Sequence, residues 1–577
     1  MEQSRLLSVC LILMSMLVAS GCGSASSVDT DASSVDAAME DGGSLRDGGS
    51  ARPGCAEPTH GTVGDDWPEV FLGVENCDDE GPGSRLEPFC SFGRAMIAAP
   101  SAGYIVTVLD GTYRLMSQPS EFRGGLSLVR AGSADTYFVL RADEGATPVI
   151  LGSIPIAGAD FEDLGDGLYR ADARVLKNDP KGMWTAEGTR VDHQLGSGPG
   201  PRSHADRADL TEPGTWTKAD ASGIGCGGDN AGCFVYIRPA LGTNMDTIIF
   251  ELTQRGLGYF GASDYFVLRG LTINYTQPQA FFFEGADHLL IEDNSVGYTA
   301  NGNDNSYSMR LWNTNGTIVR RNRVHDSRYW GGAVNSHGIT FMLSGNTETN
   351  WVCDNEVFDI DGNAISSKGG SSNLNVVGNY VRDSMIGVLV PESRRTGPMR
   401  ATVMMSGNYT IRENVFENCD VGVKFLRGLD MQEWLSASRI YNNTFVGCET
   451  GIKPSFDHPR PLVRNNIFQG GTVALELYTG NQSEYTTGWW LSHGLDSDYN
   501  LFDGPLVLRN QALDEDLNLA DYRASYSGEG ASLEQDAQLG PGPNYQPLDG
   551  SPALRAGDPS VYTDLDTVSI GHLPLAE

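Results

Sequence analysis

The sequence predicts an all-β fold, a solenoid whose chain winds into stacked coils of short parallel strands. Three observations predict it. A motif built on one asparagine recurs through the second half of the chain. A series of short apolar strands keeps company with it. Glycine, the residue of tight turns, occurs 71 times in 577 residues, well above its usual share of roughly 7%. The motif reads IEDNSV, VRRNRV, VCDNEVF, VVGNYV, IRENVF, IYNNTF, VRNNIF and SDYNLF, centred on Asn294, Asn322, Asn355, Asn379, Asn414, Asn443, Asn466 and Asn500. The separations are 28, 33, 24, 35, 29, 23 and 34 residues. Periods of this length mark repeat architectures.

The shortest gaps fit a coil of three short strands joined by turns. The longer ones fit the same coil with loops inserted at one corner. Stacking places like residues above one another. Asparagine amides can then hydrogen-bond from coil to coil inside a turn, and asparagine also accepts left-handed backbone. The Val or Phe two residues after each asparagine points the same way and fills the core. The strands HGITF, NAISS, IGVLV, VGVKF and TGIKP extend the pattern. Cys419 and Cys448 each lie five residues after a motif asparagine. They are expected to stack one coil apart, as a disulfide or as an apolar pair.

With these motifs the chain resembles right-handed parallel β-helix proteins of the pectate-lyase-like superfamily over most of residues 85–577. AGYIVTVLDGTYR looks like a first coil following the short amphipathic cap FGRAMIAA. GASDYFVLRGLTI looks like a coil entry, and YQPLDGSPALRAGD resembles a closing segment. The organisation this implies is a cap with first coils over 55–160, an inserted β-rich subdomain over 161–250, the main β-helix over 251–510 and a closing segment over 511–577. The insertion, with DGLYRADARV and CFVYIRPALGTN, is similar to one in β-helix proteins that resemble glycoside hydrolases, and reads otherwise as a brace against the helix.

Ahead of this lies MEQSRLLSVCLILMSMLVASGC. Its apolar run, Leu6 to Val18, is too short to span a bilayer and fits an export signal. Small residues before Cys22 resemble a bacterial lipoprotein signal over residues 1–22, in which Cys22 becomes the lipid-carrying residue. The alternative is an ordinary cleaved signal with an incidental cysteine. Gly23 after Cys22 implies, by the same resemblance, the outer membrane, with the protein facing the periplasm or the surface. Residues 23–54 are Ser, Asp, Ala and Gly with almost no large apolar group, and read as a flexible tether. An exported chain can oxidise its cysteines. Cys226 and Cys233 in CGGDNAGC are spaced to close a short loop, and the other pairings stay open. The formal net charge of −34 argues against nucleic acid as a partner. No phosphate-cradling loop, nucleophile elbow or zinc spacing is visible, and the chain is expected to be a monomer.

The residues that carry chemistry centre on one lysine. DGNAISSKGGSSN resembles the catalytic segment of polysaccharide lyase family six, which has two acidic residues spaced by one and a lysine five residues after the second. Asp361 and Asn363 fall on the acidic positions and Lys368 on the lysine. The resemblance implies Lys368 as Brønsted base at C5 of a uronic acid, with Ca²⁺ on Asp361, Asn363 and Asn335 neutralising the carboxylate. A hard cation with oxygen ligands suits that task. Asn363 departs from the family's acid. The family's arginine has no equivalent in IGVLVPES, which leaves Arg394 as its substitute. The bland reading of Lys368 is a lysine at a coil corner. His337, one coil earlier, reads as an acid or neutraliser, or as a structural hydrogen-bonding residue.

Two further sets stand beside this one. Asp326, Asp359 and Asp383 each lie four residues after a motif asparagine. Stacked about 4.8 Å apart, they could bind a cation, serve as the acid and base of a glycosidase, or cap turns. Tyr329, Trp330, Trp489 and Trp490 lie in long inserts, where aromatic faces suit sugar rings and equally suit a core. The sequence therefore predicts an exported protein acting on an extracellular polysaccharide. The first expectation is a calcium-assisted uronate lyase. The alternatives are a glycoside hydrolase using paired carboxylates and a non-catalytic glycan-binding or adhesive protein.

Overall fold

The computed structural model describes residue 55 and residues 67–99, 102–115, 126–127, 131–193, 204–226, 230–301, 306–329, 336–345, 347–369, 371–390, 407–426, 438–454, 461–477, 495–510, 514–526, 528–561 and 570–571. Among them nearly all regular structure is β-strand, and the chain forms a right-handed parallel β-helix. One face is a sheet of twelve strands, from Glu69–Leu72 to Asp496–Asp498. Every neighbouring pair in it is parallel, because each strand bonds to its counterpart one coil away. The other two faces join into one larger sheet. They do so because long strands such as Glu356–Lys368 and Tyr380–Val390 turn the corner between them, with a register shift between Ile360 and Asn363.

The asparagine motif holds one corner of every coil. The amide nitrogen of Asn294 donates to Asn322 Oδ1 at 2.9 Å. The same bond runs unbroken through Asn355, Asn379, Asn414, Asn443 and Asn466 to Asn500, at 2.9 to 3.1 Å. Each Oδ1 also accepts the backbone N–H of the preceding asparagine. All eight are buried, so the ladder satisfies backbone groups that water cannot reach. One expectation is corrected. The left-handed residue is the one before each asparagine: Asp293, Arg321, Asp354, Gly378, Glu413, Asn442, Asn465 and Tyr499 all have φ between 52° and 67°. That residue makes the turn, and the asparagine bridges the coils.

The Val or Phe two residues on is buried throughout. In the last coils Phe416, Phe445, Phe468 and Phe502 stack face to face, with centroids 4.9 to 5.5 Å apart. Cys419 and Cys448 are buried free thiols. Of the two readings for this pair, the apolar one describes the structure. Disulfides join Cys55 to Cys353, Cys77 to Cys90 and Cys226 to Cys233. A seven-residue helix, Phe92–Ala98, is capped by Ser91 and puts Phe92, Ala95 and Met96 into the core.

Strands between Ser153 and Thr253 form a separate eight-stranded, mostly antiparallel sheet. It has its own core around Trp216, Val235, Ile237 and Phe250. Its Trp184 packs against Tyr275 and Tyr298 of the helix. Beside them Asp179 is gripped by His204, Lys181 and the fully buried Lys218. Burial pushes His204 down to about 4, against the opposing pull of Asp179. Burial works to raise the Asp179 carboxyl, but His204 and Lys181 outweigh it and hold it below the carboxylate range.

Candidate active site

Coil-to-coil register, not sequence spacing, assembles the site. Tyr307 pairs with His337, and His337 pairs with Asn363, across three successive parallel strands. Met342 pairs with Lys368 at the ends of the last two. Side chains one coil apart therefore meet, as alternate residues must on one face of a sheet.

His337 is fully buried, with its ring stacked on Tyr307 at 5.1 Å. Its Nδ1 lies 2.9 Å from the Asn363 amide nitrogen, and its Nε2 lies 2.6 Å from Lys368 Nζ. Burial first, and Lys368 second, hold this imidazole well below its ordinary value. A neutral ring offers one donor and one acceptor. When the Asn363 amide donates to Nδ1, Nε2 carries the proton and donates to a neutral Lys368 amine. When the amide is turned over, Nδ1–H donates to Asn363 Oδ1 and Nε2 accepts from the Lys368 ammonium. As placed, Oδ1 is buried without a partner, so turning the amide exchanges one unmet group for another. The chain Asn363–His337–Lys368 can thus hold the lysine in either protonation state. Of the readings for His337, the geometry shown is the hydrogen-bonding one, between Asn363 and Lys368.

Tyr307 also carries Arg310, whose guanidinium lies 4.9 Å from that ring, 4.4 Å from Phe282 and 4.9 Å from Trp312. Lys368 Nζ lies 5.7 Å from the same tyrosine ring. Burial lowers the Arg310 guanidinium from its ordinary value. Among the described residues it makes no ion pair, and aromatic faces, with the Glu284 carboxylate farther off, offset its charge. Sequence reasoning missed Arg310. The available signal was a lone arginine set between Met309 and Leu311 in SYSMRLW.

Of the expected calcium donors, Asp361 and Asn363 are described, and they turn to different partners. Asp361 accepts from Arg328 Nη1 at 2.7 Å, and Arg190 of the eight-stranded sheet lies 3.6 Å away. Asn363 turns instead to His337. No group of three or more His, Cys, Asp or Glu side chains converges among the described residues. A carboxylate already neutralised by guanidinium groups is a poor ligand for a hard cation, and Asp361 and Asn363 as placed do not converge on one.

Asp326, Asp359 and Asp383 do stack at one corner, each with φ near 50°. Asp326 bonds to His325 and Arg328, and Asp383 bonds to Arg382. Burial and then Asp326 raise the Asp359 carboxyl above its ordinary value. Only the backbone of Tyr329 is described, at the end of strand Arg323–Tyr329. Cys22, Trp330, Asn335, Arg394, Trp489 and Trp490 lie outside the described residues.

No curated protein sequence matches this chain. Among solved structures it is similar to a glycoside hydrolase, with 12% identity, 81% of this chain and 96% of that chain covered, and a TM-score of 0.49. It is also similar to pectate lyase Pel9A, with 11% identity, coverage of 90% and 99%, and a TM-score of 0.41. A third similar structure is PfbA, a surface adhesin of Streptococcus pneumoniae, with 12% identity, coverage of 72% and 83%, and a TM-score of 0.30. At these values the activity has to be argued from the residues of this chain. Residues 246–506, which carry the whole asparagine ladder, match the family described as periplasmic copper-binding protein (NosD).

Proposed function

We propose that this protein is an exported lyase that cuts a uronate-containing polysaccharide by β-elimination at the outer face of the β-helix. The observation that carries the reading is the contact between Lys368 and His337, held by Asn363 and set beside an unpaired Arg310. The neutral Lys368 amine takes the proton from C5 of a uronate. The electron pair of that bond becomes the C4=C5 double bond, and the glycosidic oxygen leaves C4 and takes up a proton. The carbanion-like transition state spreads its charge onto the uronate carboxylate, and Arg310 is the cation placed to meet it. His337 keeps the amine oriented, its Nε2–H donating to the neutral form. Three disulfides and a family described as periplasmic support an exported location. Attachment to the outer membrane through Cys22 and action as a monomer complete the proposal.

The raised Asp359 carboxyl between two paired aspartates favours one second reading, a hydrolase with Asp359 as general acid. A panel of alginate, pectate, glycosaminoglycans and neutral glycans separates the readings. Elimination yields an ultraviolet-absorbing unsaturated end, hydrolysis yields new reducing ends without it, and a binding protein retains glycan without turnover. Absence of the unsaturated product on every acidic glycan would overturn the lyase reading.

A further inference from the structure

The face that carries Lys368 continues through several more coils, and its outward positions can be followed by register. Arg310 pairs with Thr340, Thr340 with Ser366, Ser366 with Leu389, Leu389 with Lys424, and Lys424 with Lys453. The flanking residues Val423, Phe425 and Ile452 point into the core, so both lysines stand on the outer face. Lys424 is half-buried beside Lys453, and burial followed by Lys453 lowers its ammonium from the ordinary value. Among the described residues its Nζ has neither a hydrogen bond nor an ion pair. Lys453 is paired with Glu476 at 3.0 Å, and Glu476 also accepts from Thr450. Arg509, next in register after Glu476, is paired with Asp516. One carboxylate, Glu476, therefore faces two lysines.

An unpaired, half-buried ammonium beside a second one costs free energy and serves no fold contact. A chain with net charge −34 would not place it there for solubility. The position is two coils beyond Ser366, roughly 10 Å at the spacing of stacked strands. A polysaccharide lying along this face, with its reacting unit at Lys368, would extend over that point.

We propose that Lys424 and Lys453 form an anion-binding subsite for the carboxylate of a uronate unit beyond the one that reacts. This rests on the reading that an acidic glycan lies along this face, and it adds a residue pair that selects acidic over neutral chain. The subsite binds a carboxylate and does no chemistry.

The test is equilibrium binding, which does not require turnover. The full-length protein carrying Lys368→Ala is titrated calorimetrically with hexameric oligogalacturonate and oligomannuronate, and with the same hexamers after carboxyl reduction. Adding Lys424→Gln and Lys453→Gln is expected to weaken the acidic hexamer at least about tenfold, as loss of charge-assisted hydrogen bonds implies. Affinity for the reduced hexamer should be unchanged. Equal affinity with and without the lysine pair would overturn the subsite, as would a lack of binding by either acidic hexamer. Fold is controlled by Lys424→Met: an unpaired lysine predicts an unchanged or raised melting temperature, and a lowered one would assign it to the fold instead. The outcomes separate from the lyase reading. Acidic binding that depends on the pair, in a protein that forms no unsaturated product, keeps the subsite and removes the elimination. Elimination indifferent to the pair does the reverse.

Discussion

Lys368 Nζ lies 2.6 Å from Nε2 of His337, a histidine with no exposed surface whose far nitrogen meets Asn363. The base of the proposed reaction is therefore in contact with a neutral ring. Replacing His337 by Asn removes that contact without touching substrate. The expected result is a kcat about a hundredfold lower with KM nearly unchanged, and a displaced basic limb in the pH–rate profile. An equal rise in KM would instead place His337 in substrate binding.

Two buried histidines make the fold sensitive to mild acid. His337 and His204 are both kept neutral in the folded state, while in the unfolded chain they titrate near 6.5. Below that value the unfolded state binds more protons, so stability rises with pH there. Each contribution is complete above about pH 6.5 and is lost as pH falls toward the folded value, about 4 for His204. The loss is about 1.4 kcal/mol per pH unit for each histidine. Urea midpoints measured from pH 7.5 down to 5 should fall, and His204→Gln should reduce the slope.

Removing one rung of the asparagine ladder should be costly. Asn379 donates to Asn414 and to the Val352 carbonyl, and accepts from Asn355. Asn379→Ala leaves buried groups on three strands unmet, at about 3 kcal/mol. Thermal melting of the variant checks this, and an unchanged midpoint would make the ladder decorative.

That ladder was legible because every coil needs the same residue in the same place. The residue that makes the turn was not, because Asp293, Arg321, Glu413 and Tyr499 have nothing in common but a positive φ. Lys368 and His337 each stood out in the sequence. Their contact did not, since it depends on the coil-to-coil register that pairs His337 with Asn363 and Met342 with Lys368. The lyase resemblance implied calcium on Asp361, Asn363 and Asn335, but it could not show Arg328, 33 residues away, taking Asp361. Arg310 was illegible for a similar reason: its cage is built from two neighbouring strands.

If Arg310 and not a metal neutralises the uronate, chelation should leave the rate unchanged. Arg310→Gln should lower kcat about a hundredfold or more, the scale of losing one preorganised charge donor. A calcium requirement, measured as restored activity after chelation and repletion, would contradict this assignment.

The cysteines divide sharply. The bond to Cys448, and then burial, hold the Cys419 thiol well above its ordinary value, so the thiolate needed for reaction is scarce. Neither thiol of the pair should react with a disulfide reagent in the native protein, and both should react in denaturant. Cys55–Cys353 spans 298 residues, and its loss through Cys353→Ser should cost about 4 kcal/mol, seen as a lower melting temperature under oxidising conditions.

The most direct measurement follows the ultraviolet absorbance of the unsaturated uronate, with the protein and its Lys368→Ala variant side by side on the same acidic polysaccharide. The account predicts a steady rise for the protein and a flat trace for the variant, with polymer binding retained by both. A variant that still generates the unsaturated product would contradict the assignment of Lys368 as the base.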